Sequence, residues 1–473
     1  MSAPTEIVQR KPQRGATLYP FEHGFPTKEA TERARDDADF QRAVTAYRFW
    51  YPTVSCEGMF NANTSIGARD NESMIVMSAG PRQVFFTPNS DTPYAAAIVD
   101  LKDGPYVVEM PPGQLVGLVD DHHQGWILDM GLPGPAGAKG GKHLILPPGY
   151  KGKPPDGYFT GQSSSSKVFV ALRSLPIKGN VTAALGSLRA VKIYPLADAD
   201  NPKPMKMIDV TEKAVDGTCL RWEDNLLYWE KLHEVIDAEP LVAKFLPMYG
   251  ELAALGIQKG KPFAPDARMK RILEKAAKAG RDQMLVSAFA SARPDRLAWN
   301  DRKWEWAGLV PESADFETES GIDLEARDRW FAQAIVTSPA MFCRSIGAGS
   351  LYWLGDRDAK GAFVNGAKTY KLNVPLPVPA GLFWSVTVYD AETRSEVQTP
   401  QDKAALRSLF ELKDTGKAKS VDLYFGPKSP GTYESRWIQT IPGKGWFSYF
   451  RVYGPEEPAF DGSWKPGDFE EVK

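Results

Sequence analysis

The chain has 473 residues, a length that corresponds to about two to four domains of ordinary size. Hydrophobic residues make up 42% of it, which is enough for packed cores, and 57 lysines and arginines against 59 aspartates and glutamates leave a net charge of −2. This balance argues against a nucleic-acid-binding protein, which needs a clustered positive field. No apolar run approaches the roughly 20 residues of a membrane-spanning helix.

We therefore expect a soluble protein. Residues 1–20 contain no apolar core of the kind that a secretory signal needs. The sequence as it stands predicts a cytoplasmic location. A periplasmic or secreted protein is the alternative if a signal peptide has been removed.

Residues 1–72 are predicted to form a polar arm followed by one helix. The arm is expected over 1–35, which is polar and contains prolines. From Asp37 onwards, large apolar side chains recur at helical spacing as far as Pro52, where we expect the helix to end. A helix with so many aromatic residues is more typical of a core than of a ligand site.

Residues 73–210 are predicted to form a β-domain. Short apolar stretches at 74–77, 83–86 and 114–119 are separated by turn residues. Successive side chains of a strand point to opposite faces, and short strands at this spacing are typical of a sandwich. The glycine-rich segment 131–141 is predicted to be a long loop.

The apolar period changes to 3.6 residues over 211–345, which predicts a helical domain. From 346 to 473 the period returns to two, in apolar and aromatic runs that end at glycine, proline or aspartate. We therefore expect a mainly β protein with a helical domain inserted between two β-domains.

The three cysteines are predicted to be reduced and unpaired. Cys56, Cys219 and Cys343 are widely spaced and odd in number. This pattern provides neither a disulfide framework nor a metal-binding knuckle. Small buried side chains are the simplest interpretation.

The densest polar cluster consists of Asp120, Asp121, His122 and His123, at the end of a predicted strand. Carboxylate and imidazole groups are ordinary ligands of divalent metals and ordinary acid–base pairs. Because side chains alternate along a strand, only Asp121 with His123, or Asp120 with His122, can share a face. A third metal ligand would come from elsewhere, and His143 is the candidate. A polar strand end that bonds to nearby backbone is the alternative interpretation.

A second polar cluster lies between prolines at 87–94. Asn89, Asp91, Thr92 and Tyr94 belong to it. Asparagine, aspartate and threonine in such a setting commonly satisfy backbone groups in turns. The same side chains could hold a sugar or a metal ion, so both interpretations stay open.

Motifs for nucleotide binding are missing from the sequence. No Gly-x-Gly-x-x-Gly opens a helix after a strand, and no Gly-Lys-Ser/Thr phosphate loop occurs. We therefore expect no nucleotide cofactor.

Two sets of motifs resemble known domain families. Pro-Asn-Ser-Asp-Thr-x-Tyr at 88–94 and Pro-Pro-Gly-Tyr at 147–150 resemble domain of unknown function 1254. Phe-Trp-Ser-Val-Thr-Val-Tyr-Asp at 383–390 and Arg-Val-Tyr-Gly-Pro at 451–455 resemble its usual partner, domain of unknown function 1214. The resemblance implies an immunoglobulin-like sandwich in the N-terminal part and a jelly-roll-like sandwich in the C-terminal part. It implies no catalytic residue, because the family has no settled activity.

The function that we favour from the sequence is a hydrolase or lyase acting on a polar small molecule or a carbohydrate-like substrate. Asp91, Asp121 and His123 are the expected catalytic residues, since carboxylate and imidazole groups perform acid–base chemistry. If a divalent metal ion is the cofactor, its expected ligands are Asp121, His122 and His143.

The alternative is a non-catalytic protein that binds a carbohydrate or another small ligand. Asn89, Thr92, Tyr94 and Trp126 are the expected ligand-binding residues. A structural homo-oligomer is the third possibility, and the fold alone does not choose among the three.

A sharper hypothesis concerns the relative position of the two polar clusters. We expect the segments 89–94 and 120–123 to line one polar cavity, because a strand, a hairpin and a return can bring two such ends to the same edge. The separation of the Asp91 and Asp121 carboxylates tests this hypothesis.

Overall fold

β-Sheets dominate the structure. The computed structural model describes residues 18–342, 344–347, 349–415 and 418–472. The fold is mostly β, with several sheets, and is 28% helical. The predicted mainly β class is therefore confirmed at this level. Residues 1–17 of the expected arm lie outside the described residues.

The helices are distributed through the first three quarters of the chain. They are α1 (Lys28–Ser65), α2 (Val181–Arg189), α3 (Leu226–Ala238), α4 (Leu246–Ala254), α5 (Ala267–Phe289), α6 (Leu324–Phe331) and α7 (Pro339–Phe342). Among the described residues, no helix is both long and apolar enough to cross a membrane.

Helix α1 continues through Pro52 rather than ending there. The Thr27 side chain caps the first turn by accepting a hydrogen bond from the backbone N–H of Ala30 at 3.1 Å. An interior proline costs a helix about 3 kcal/mol. Val54 and Met59, which follow the proline, are buried, and burial of each such side chain stabilises the helix by roughly 2 kcal/mol. The expected end at Pro52 was wrong because tertiary burial outweighs the local cost.

The strands before α3 belong mainly to two sheets. They are β1 (Phe21–Glu22), β2 (Phe25–Pro26), β3 (Ser73–Ser78), β4 (Gln83–Val84), β5 (Pro93–Asp100), β6 (Tyr106–Met110), β7 (Leu115–Asp121), β8 (Trp126–Gly131), β9 (Gly141–Leu146), β10 (Phe159–Gln162), β11 (Lys167–Ser174), β12 (Lys192–Pro195), β13 (Lys206–Asp209) and β14 (Val215–Asp216). A six-stranded sheet has the order β13-β3-β5-β11-β7-β8, and a four-stranded sheet has the order β10-β9-β6-β12. Two short pairs, β1 with β2 and β14 with β4, stand apart from them.

The two faces of the six-stranded sheet have different environments. One face packs with the four-stranded sheet in a shared core, where Val76 and Val170 from the first sheet join Val108 and Ile145 from the second. The opposite face points towards the helices and the C-terminal domain. Because side chains alternate along each strand, every second residue of β3, β5, β7 and β11 belongs to this opposite face.

The remaining strands form the C-terminal β-domain and a small hairpin. They are β15 (Glu305–Trp306), β16 (Glu317–Thr318), β17 (Gly321–Ile322), β18 (Ser350–Gly355), β19 (Thr369–Pro375), β20 (Ala380–Asp390), β21 (Ala405–Arg407), β22 (Ser420–Gly426), β23 (Trp437–Gln439), β24 (Trp446–Pro455) and β25 (Glu470–Val472). A five-stranded sheet has the order β15-β18-β24-β20-β21, and a four-stranded sheet has the order β23-β22-β19-β25. Side chains from both sheets, such as Val386 and Leu423, meet in one core.

Helix α1 is the centre of the helical part. It packs against α3, α4, α5 and α6. Trp50 of α1 is fully buried in the same core as Trp229 of α3 and Leu273 of α5. The helix that the sequence analysis placed in the 1–72 segment thus packs with the helices of 211–345. The four segment boundaries themselves stay a prediction.

Candidate functional site

A cavity of about 820 Å³ lies between the six-stranded sheet, the five-stranded sheet and the helical part. Residues of β3, β5, β7 and β11 line it from one side, and residues of β18 and β24 line it from another. Helix α1 and the segment 330–341 contribute the third wall. Three parts of the chain that are distant in sequence therefore each supply a wall.

Small side chains leave the middle of the first wall open. Ile75, Ala96, Ala171, Leu118 and Asp129 lie at one level across five neighbouring strands, according to the pairing registers. All five line the cavity. Because the residues on the two central strands are alanines, no long side chain fills the space above them. The two alanines on this face of the sheet therefore leave the space that the cavity occupies.

The next level of the same sheet carries polar groups. Tyr94 of β5 pairs with Arg173 of β11 in register, and both line the cavity. The guanidinium carbon of Arg173 lies 4.9 Å from the centre of the Tyr94 ring, a distance at which cation–π attraction operates. No carboxylate among the described residues forms an ion pair with Arg173.

The C-terminal wall carries a second arginine among tyrosines. Tyr449, Arg451 and Tyr453 alternate along β24, and Tyr352 of β18 pairs with Arg451 in register. All four line the cavity. The Arg451 guanidinium carbon lies 5.4 Å from the centre of the Tyr352 ring and 5.1 Å from that of Tyr449.

The Arg451 guanidinium is only partly satisfied. Its side chain is buried, with the residue 3% exposed, and Nη2 donates a hydrogen bond to the Thr87 carbonyl at 3.1 Å. Nη1 is buried and has no hydrogen-bond partner within the described part of the chain. A buried donor without a partner is costly, so Nη1 of Arg451 is a group that could donate a hydrogen bond into the cavity.

Two tyrosine hydroxyls add further donors. The Tyr94 oxygen accepts a hydrogen bond from the Asn89 backbone N–H at 3.1 Å, and the Tyr352 oxygen accepts one from the Ser350 hydroxyl at 2.6 Å. Neither hydroxyl donates to another described residue, so both protons remain available. Burial raises the pKa of Tyr94, which keeps this hydroxyl protonated. We call Tyr94, Arg173, Tyr352 and Arg451 the donor cluster.

One carboxylic acid lines the cavity away from the donor cluster. Asp129 lies on β8, two strands away from β11 in the sheet. Burial raises its pKa to about 6, although a hydrogen bond from Ser338 opposes the change. A carboxyl group with such a pKa can exchange a proton near neutral pH.

The cluster at 87–94 is divided between a turn and the cavity. The Asn89 side-chain oxygen accepts hydrogen bonds from the backbone N–H groups of Asp91 at 3.1 Å and Thr92 at 3.3 Å. Asn89 is buried and acts as a turn-forming residue. Thr92 and Tyr94 line the cavity, and their role in ligand binding stays a prediction.

Asp91 connects the two β-domains. Its Oδ2 accepts hydrogen bonds from the Ser385 hydroxyl at 2.7 Å and the Tyr453 hydroxyl at 2.9 Å. Both donors belong to the C-terminal sheet, and Tyr453 lines the cavity. Asp91 therefore lies behind the cavity wall, where it contacts Tyr453, a residue that lines the cavity.

The cluster at 120–123 forms the turn between β7 and β8. Oδ1 of Asp121 accepts hydrogen bonds from the backbone N–H groups of His123 and Gly125, each at 2.8 Å. Oδ2 of Asp120 accepts one from the Thr337 N–H at 2.7 Å. Both aspartates thus satisfy backbone groups, which is the alternative that the sequence left open.

The two adjacent histidines have opposite charge preferences. His122 is buried with Nδ1 at 3.1 Å from a carboxylate oxygen of Glu239 and Nε2 at 3.1 Å from one of Glu57. Burial opposes its charge, but these two glutamates raise the pKa of His122 overall. His123 contacts the Thr53 hydroxyl at 3.0 Å, and burial lowers its pKa to about 4. The protein therefore shifts the pKa values of these two neighbouring imidazoles in opposite directions.

The two polar clusters lie at opposite ends of the sheet. Tyr94 pairs with Arg173, whereas Asp121 pairs with Val168 of the same strand β11. These partners are five residues apart, which is about 16 Å along a strand. Asp121 and His123 line a separate small cavity of about 40 Å³. Both β5 and β7 run antiparallel to β11, so Tyr94 near the start of β5 and Asp121 at the end of β7 lie at opposite ends of the sheet. The hypothesis of one shared cavity is therefore wrong.

The predicted metal ligands are not assembled into one set. His143 lies on β9, in the other sheet, with Nδ1 at 3.3 Å from the Val108 carbonyl. Asp121 and His122 lie at the end of the six-stranded sheet, where each has other partners. Among the described residues, no group of three or more His, Cys, Asp or Glu side chains could hold a metal ion. The metal assignment to Asp121, His122 and His143 is therefore corrected.

Trp126, Cys56 and Cys219 lie outside the large cavity. Trp126 is 37% exposed at the start of β8, and its backbone N–H donates to Asp315 at 3.2 Å. Cys56 and Cys219 form no disulfide. Cys343 lies outside the described residues.

The sequence analysis missed three members of the donor cluster. Arg173, Tyr352 and Arg451 each lie within a strand that is otherwise apolar. An arginine inside such a strand is a detectable signal, since a charged side chain is rarely buried without a function or a partner. The signal was present in Phe-Arg-Val-Tyr at 450–453 and in Ala-Leu-Arg-Ser at 171–174.

Two family models match the chain. Residues 71–195 match the model described as "Protein of unknown function (DUF1254)", and residues 349–457 match "Protein of unknown function (DUF1214)". The two models match in the N-to-C order that the sequence motifs predicted. The first matched range contains β5 and β11, and the second contains β18 and β24. Both members of the DUF1254–DUF1214 pair therefore contribute to the cavity.

Similar solved structures come from two bacteria. The VPA0106 protein from Vibrio parahaemolyticus is 16% identical, with a TM-score of 0.57 over 92% of this chain and 100% of that chain. An uncharacterized protein from Burkholderia cenocepacia is 13% identical, with a TM-score of 0.41 over 94% of this chain and 97% of that chain. The first similarity shows a shared fold. No curated protein matches the chain.

Proposed function

We propose that the protein binds a small amphipathic molecule in the cavity of about 820 Å³. The supporting observation is the combination of an unfilled sheet face with a donor cluster at one end of it. Small-molecule sites are typically concave, mostly apolar and between about 300 and 1,000 Å³, with a few polar groups that fix orientation. The cavity has each of these properties.

The apolar walls favour an amphipathic ligand over a carbohydrate-like one. Leu118 and Phe169 from the sheet, Met59 from α1 and Val336 from the third wall all line the cavity. A sugar carries hydroxyl groups along its whole length and would leave many of them unpaired against such walls. A molecule with one polar end and an apolar body leaves no polar group unpaired against these walls.

The first prediction tests whether the cavity is the binding site. Ala171→Leu adds a branched side chain above the middle of the sheet, where Ala171 lines the cavity. We expect the affinity for an uncharged fluorescent probe, 1-aminoanthracene, to fall roughly tenfold, since overpacking costs about 1–3 kcal/mol. Fluorescence titration measures the change.

The matched control is Ala183→Leu, which makes the same chemical change on the exposed surface of α2. This variant should bind the probe as the wild type does. Equal affinities of the wild type and Ala171→Leu, with both proteins folded by circular dichroism, would exclude the cavity as the binding site.

A second candidate function is hydrolysis or elimination of the bound molecule, as the sequence analysis favoured. Asp129 supports it, because a wall carboxyl with a pKa of about 6 can act as a general acid or base. Asp91, Asp121 and His123 do not share one site, so they are not proposed together as catalytic residues. Chemical conversion of the bound molecule with time distinguishes an enzyme from a simple binder.

Other expectations from the sequence stay predictions. They are the immunoglobulin-like and jelly-roll-like architectures of the two β-domains, assembly into a homo-oligomer and the cellular compartment. Native mass spectrometry measures the oligomeric state directly.

A further inference from the structure

We infer that the donor cluster recognises a carboxylate, so that the ligand is an amphipathic acid with a single negative charge at the cavity's polar end. This inference rests on the proposed binding function and adds the chemical class of the head group. Three observations support this inference. They are the hydrogen-bonding groups that the donor cluster offers, the balance of charges around it and the positions of its two arginines.

The cluster offers hydrogen-bond donors and almost no acceptors. Arg173 and Arg451 can only donate. The hydroxyl oxygens of Tyr94 and Tyr352 already accept hydrogen bonds, from a backbone N–H and from a serine, so what they have left to offer is a proton. An ionised carboxylate only accepts, with two oxygens, and so complements this set. An alcohol or amine would bring further donors.

The positive charges at this end exceed the negative ones by about one at most. Arg173 and Arg451 provide two cations, and the nearby Asp91 provides one anion, which with the tyrosines raises the pKa of Arg451 against the effect of burial. Burial raises the pKa of the neighbouring Glu396 to about 7, so this carboxyl reduces the excess further as it ionises. Asp129 is two strands away, and Glu456 lines the cavity from an exposed position. One carboxylate neutralises the excess, whereas a dianion such as a phosphate monoester would reverse it.

The two guanidinium groups converge although they come from different domains. The guanidinium carbon of Arg173 lies 4.9 Å from the centre of the Tyr94 ring. Arg451 donates to the Thr87 carbonyl, two residues before Asn89, whose backbone N–H donates to the Tyr94 hydroxyl. Burial raises the pKa of Tyr94, and both arginines oppose this effect. Burial also raises the pKa of Tyr453, again opposed by both arginines. A planar guanidinium pairs with a carboxylate through parallel hydrogen bonds. One head group between the arginines can therefore satisfy the unpartnered Nη1 of Arg451.

The second prediction compares an acid with an alcohol of equal chain length. Decanoate and decan-1-ol are titrated separately against the 1-aminoanthracene complex at pH 7.5, where the acid is ionised. We expect decanoate to displace the probe at concentrations at least tenfold lower, because hydrogen bonds to charged groups are the stronger ones. Decyl phosphate, a dianion near this pH, should bind more weakly than decanoate.

Removal of one arginine should abolish the preference for the acid. In Arg173→Met we expect decanoate to lose roughly tenfold or more in affinity while decan-1-ol changes little. Arg173 is the first choice because its loss leaves no described carboxylate unpaired. Arg451→Met should have the same effect, and Arg35→Met, which removes an exposed arginine from α1, should have none.

The outcomes separate this inference from the proposed function. Equal displacement by decanoate and decan-1-ol, or a preference for the acid that survives in Arg173→Met, overturns the carboxylate assignment and leaves the cavity as a binding site. Tighter binding of decyl phosphate also overturns it. If the affinity for the probe is the same in Ala171→Leu as in the wild type, the proposed function itself is overturned.

Discussion

The charge of one buried residue, His122, depends on two residues far away in the sequence. Glu57 comes from α1, and Glu239 follows α3. Glu239 also accepts hydrogen bonds from the backbone N–H groups of Ser166 and Lys167. Burial opposes ionisation of Glu239, but His122 and these N–H groups lower its pKa to about 2. The His122 ring, placed between two carboxylates, therefore joins two helices to the turn after β7.

The third prediction concerns His122→Gln. Removal of the cation leaves two carboxylates facing each other in a buried site, so we expect the free energy of unfolding to fall by about 3 kcal/mol at pH 5.5. The folded-state pKa of His122 is raised above its ordinary value of 6.5. Its contribution is therefore complete below pH 6.5 and is lost as the pH rises through the folded-state pKa.

The difference between wild type and His122→Gln should accordingly shrink between pH 5.5 and pH 9. Urea unfolding at several pH values measures it, and in the wild type Glu239 stays ionised over this range because its pKa is about 2. His233→Gln is the control, since the His233 ring contacts a backbone carbonyl rather than a carboxylate. A difference for His122→Gln that grows with pH would contradict the prediction.

At this scale the sequence marked two polar clusters but not the partners of their side chains. The clusters around Asp91 and Asp121 were identified as polar sites between apolar strands. The groups that determine their roles lie elsewhere in the chain, such as Ser385 and Tyr453 for Asp91. Residue type and spacing carry no information on such long-range contacts, so a turn-capping aspartate and a catalytic one look the same.

At the scale of an element, the β7–β8 turn depends on one carboxylate. Asp121 accepts hydrogen bonds from two backbone N–H groups of the turn and also from the Ser164 hydroxyl. The fourth prediction is that Asp121→Ala lowers the free energy of unfolding by about 2–4 kcal/mol, because buried donors lose a charged acceptor. Asp121→Asn, which keeps one oxygen, should lose less. Chemical denaturation measures both.

The control for this turn is Asp103→Ala, an exposed aspartate that precedes β6. It should change stability by no more than about 0.5 kcal/mol. If Asp121→Ala is as stable as the wild type but loses an activity, the turn-forming role is wrong and the catalytic role expected from the sequence is restored.

The sequence predicted element types better than element arrangement. The alternating apolar pattern predicted strands at 74–77, which lies within β3, and at 114–119, which overlaps β7. It did not reveal that β11 lies between β5 and β7, which sends the two polar clusters to opposite ends. Strand order and register are set by packing across the whole domain, which no local pattern records. The same applies to α1, which packing carries through Pro52.

At the scale of the whole molecule, a buried ion pair joins the helical part to the C-terminal domain. Arg394 is fully buried and pairs with Glu223, whose other oxygen lies 3.2 Å from Nε of Arg281. The Tyr51 hydroxyl of α1 donates to the same carboxylate at 2.6 Å. One glutamate therefore contacts groups from α1, α5 and the segment after β20.

The fifth prediction uses the two arginines as a matched pair. Arg394→Met should lower the free energy of unfolding by about 3–5 kcal/mol, because it leaves a buried charge without its main partner. Arg281→Met should lower the free energy of unfolding by no more than about 1 kcal/mol, because the Arg281 side chain is 30% exposed. Denaturant unfolding compares them. Equal losses in the two variants would show that Glu223 is not held by its buried partner.

The position of the cavity limits how the two matched domains can be separated during evolution. Its walls come from residues that match DUF1254, from residues that match DUF1214 and from the helices around them. Neither matched range contains a complete set of donors, since Tyr94 and Arg173 lie in one and Tyr352 and Arg451 in the other. A gene fission or a domain exchange would divide the site between two products. If the cavity binds the molecule proposed above, selection for that binding would keep both halves in one reading frame.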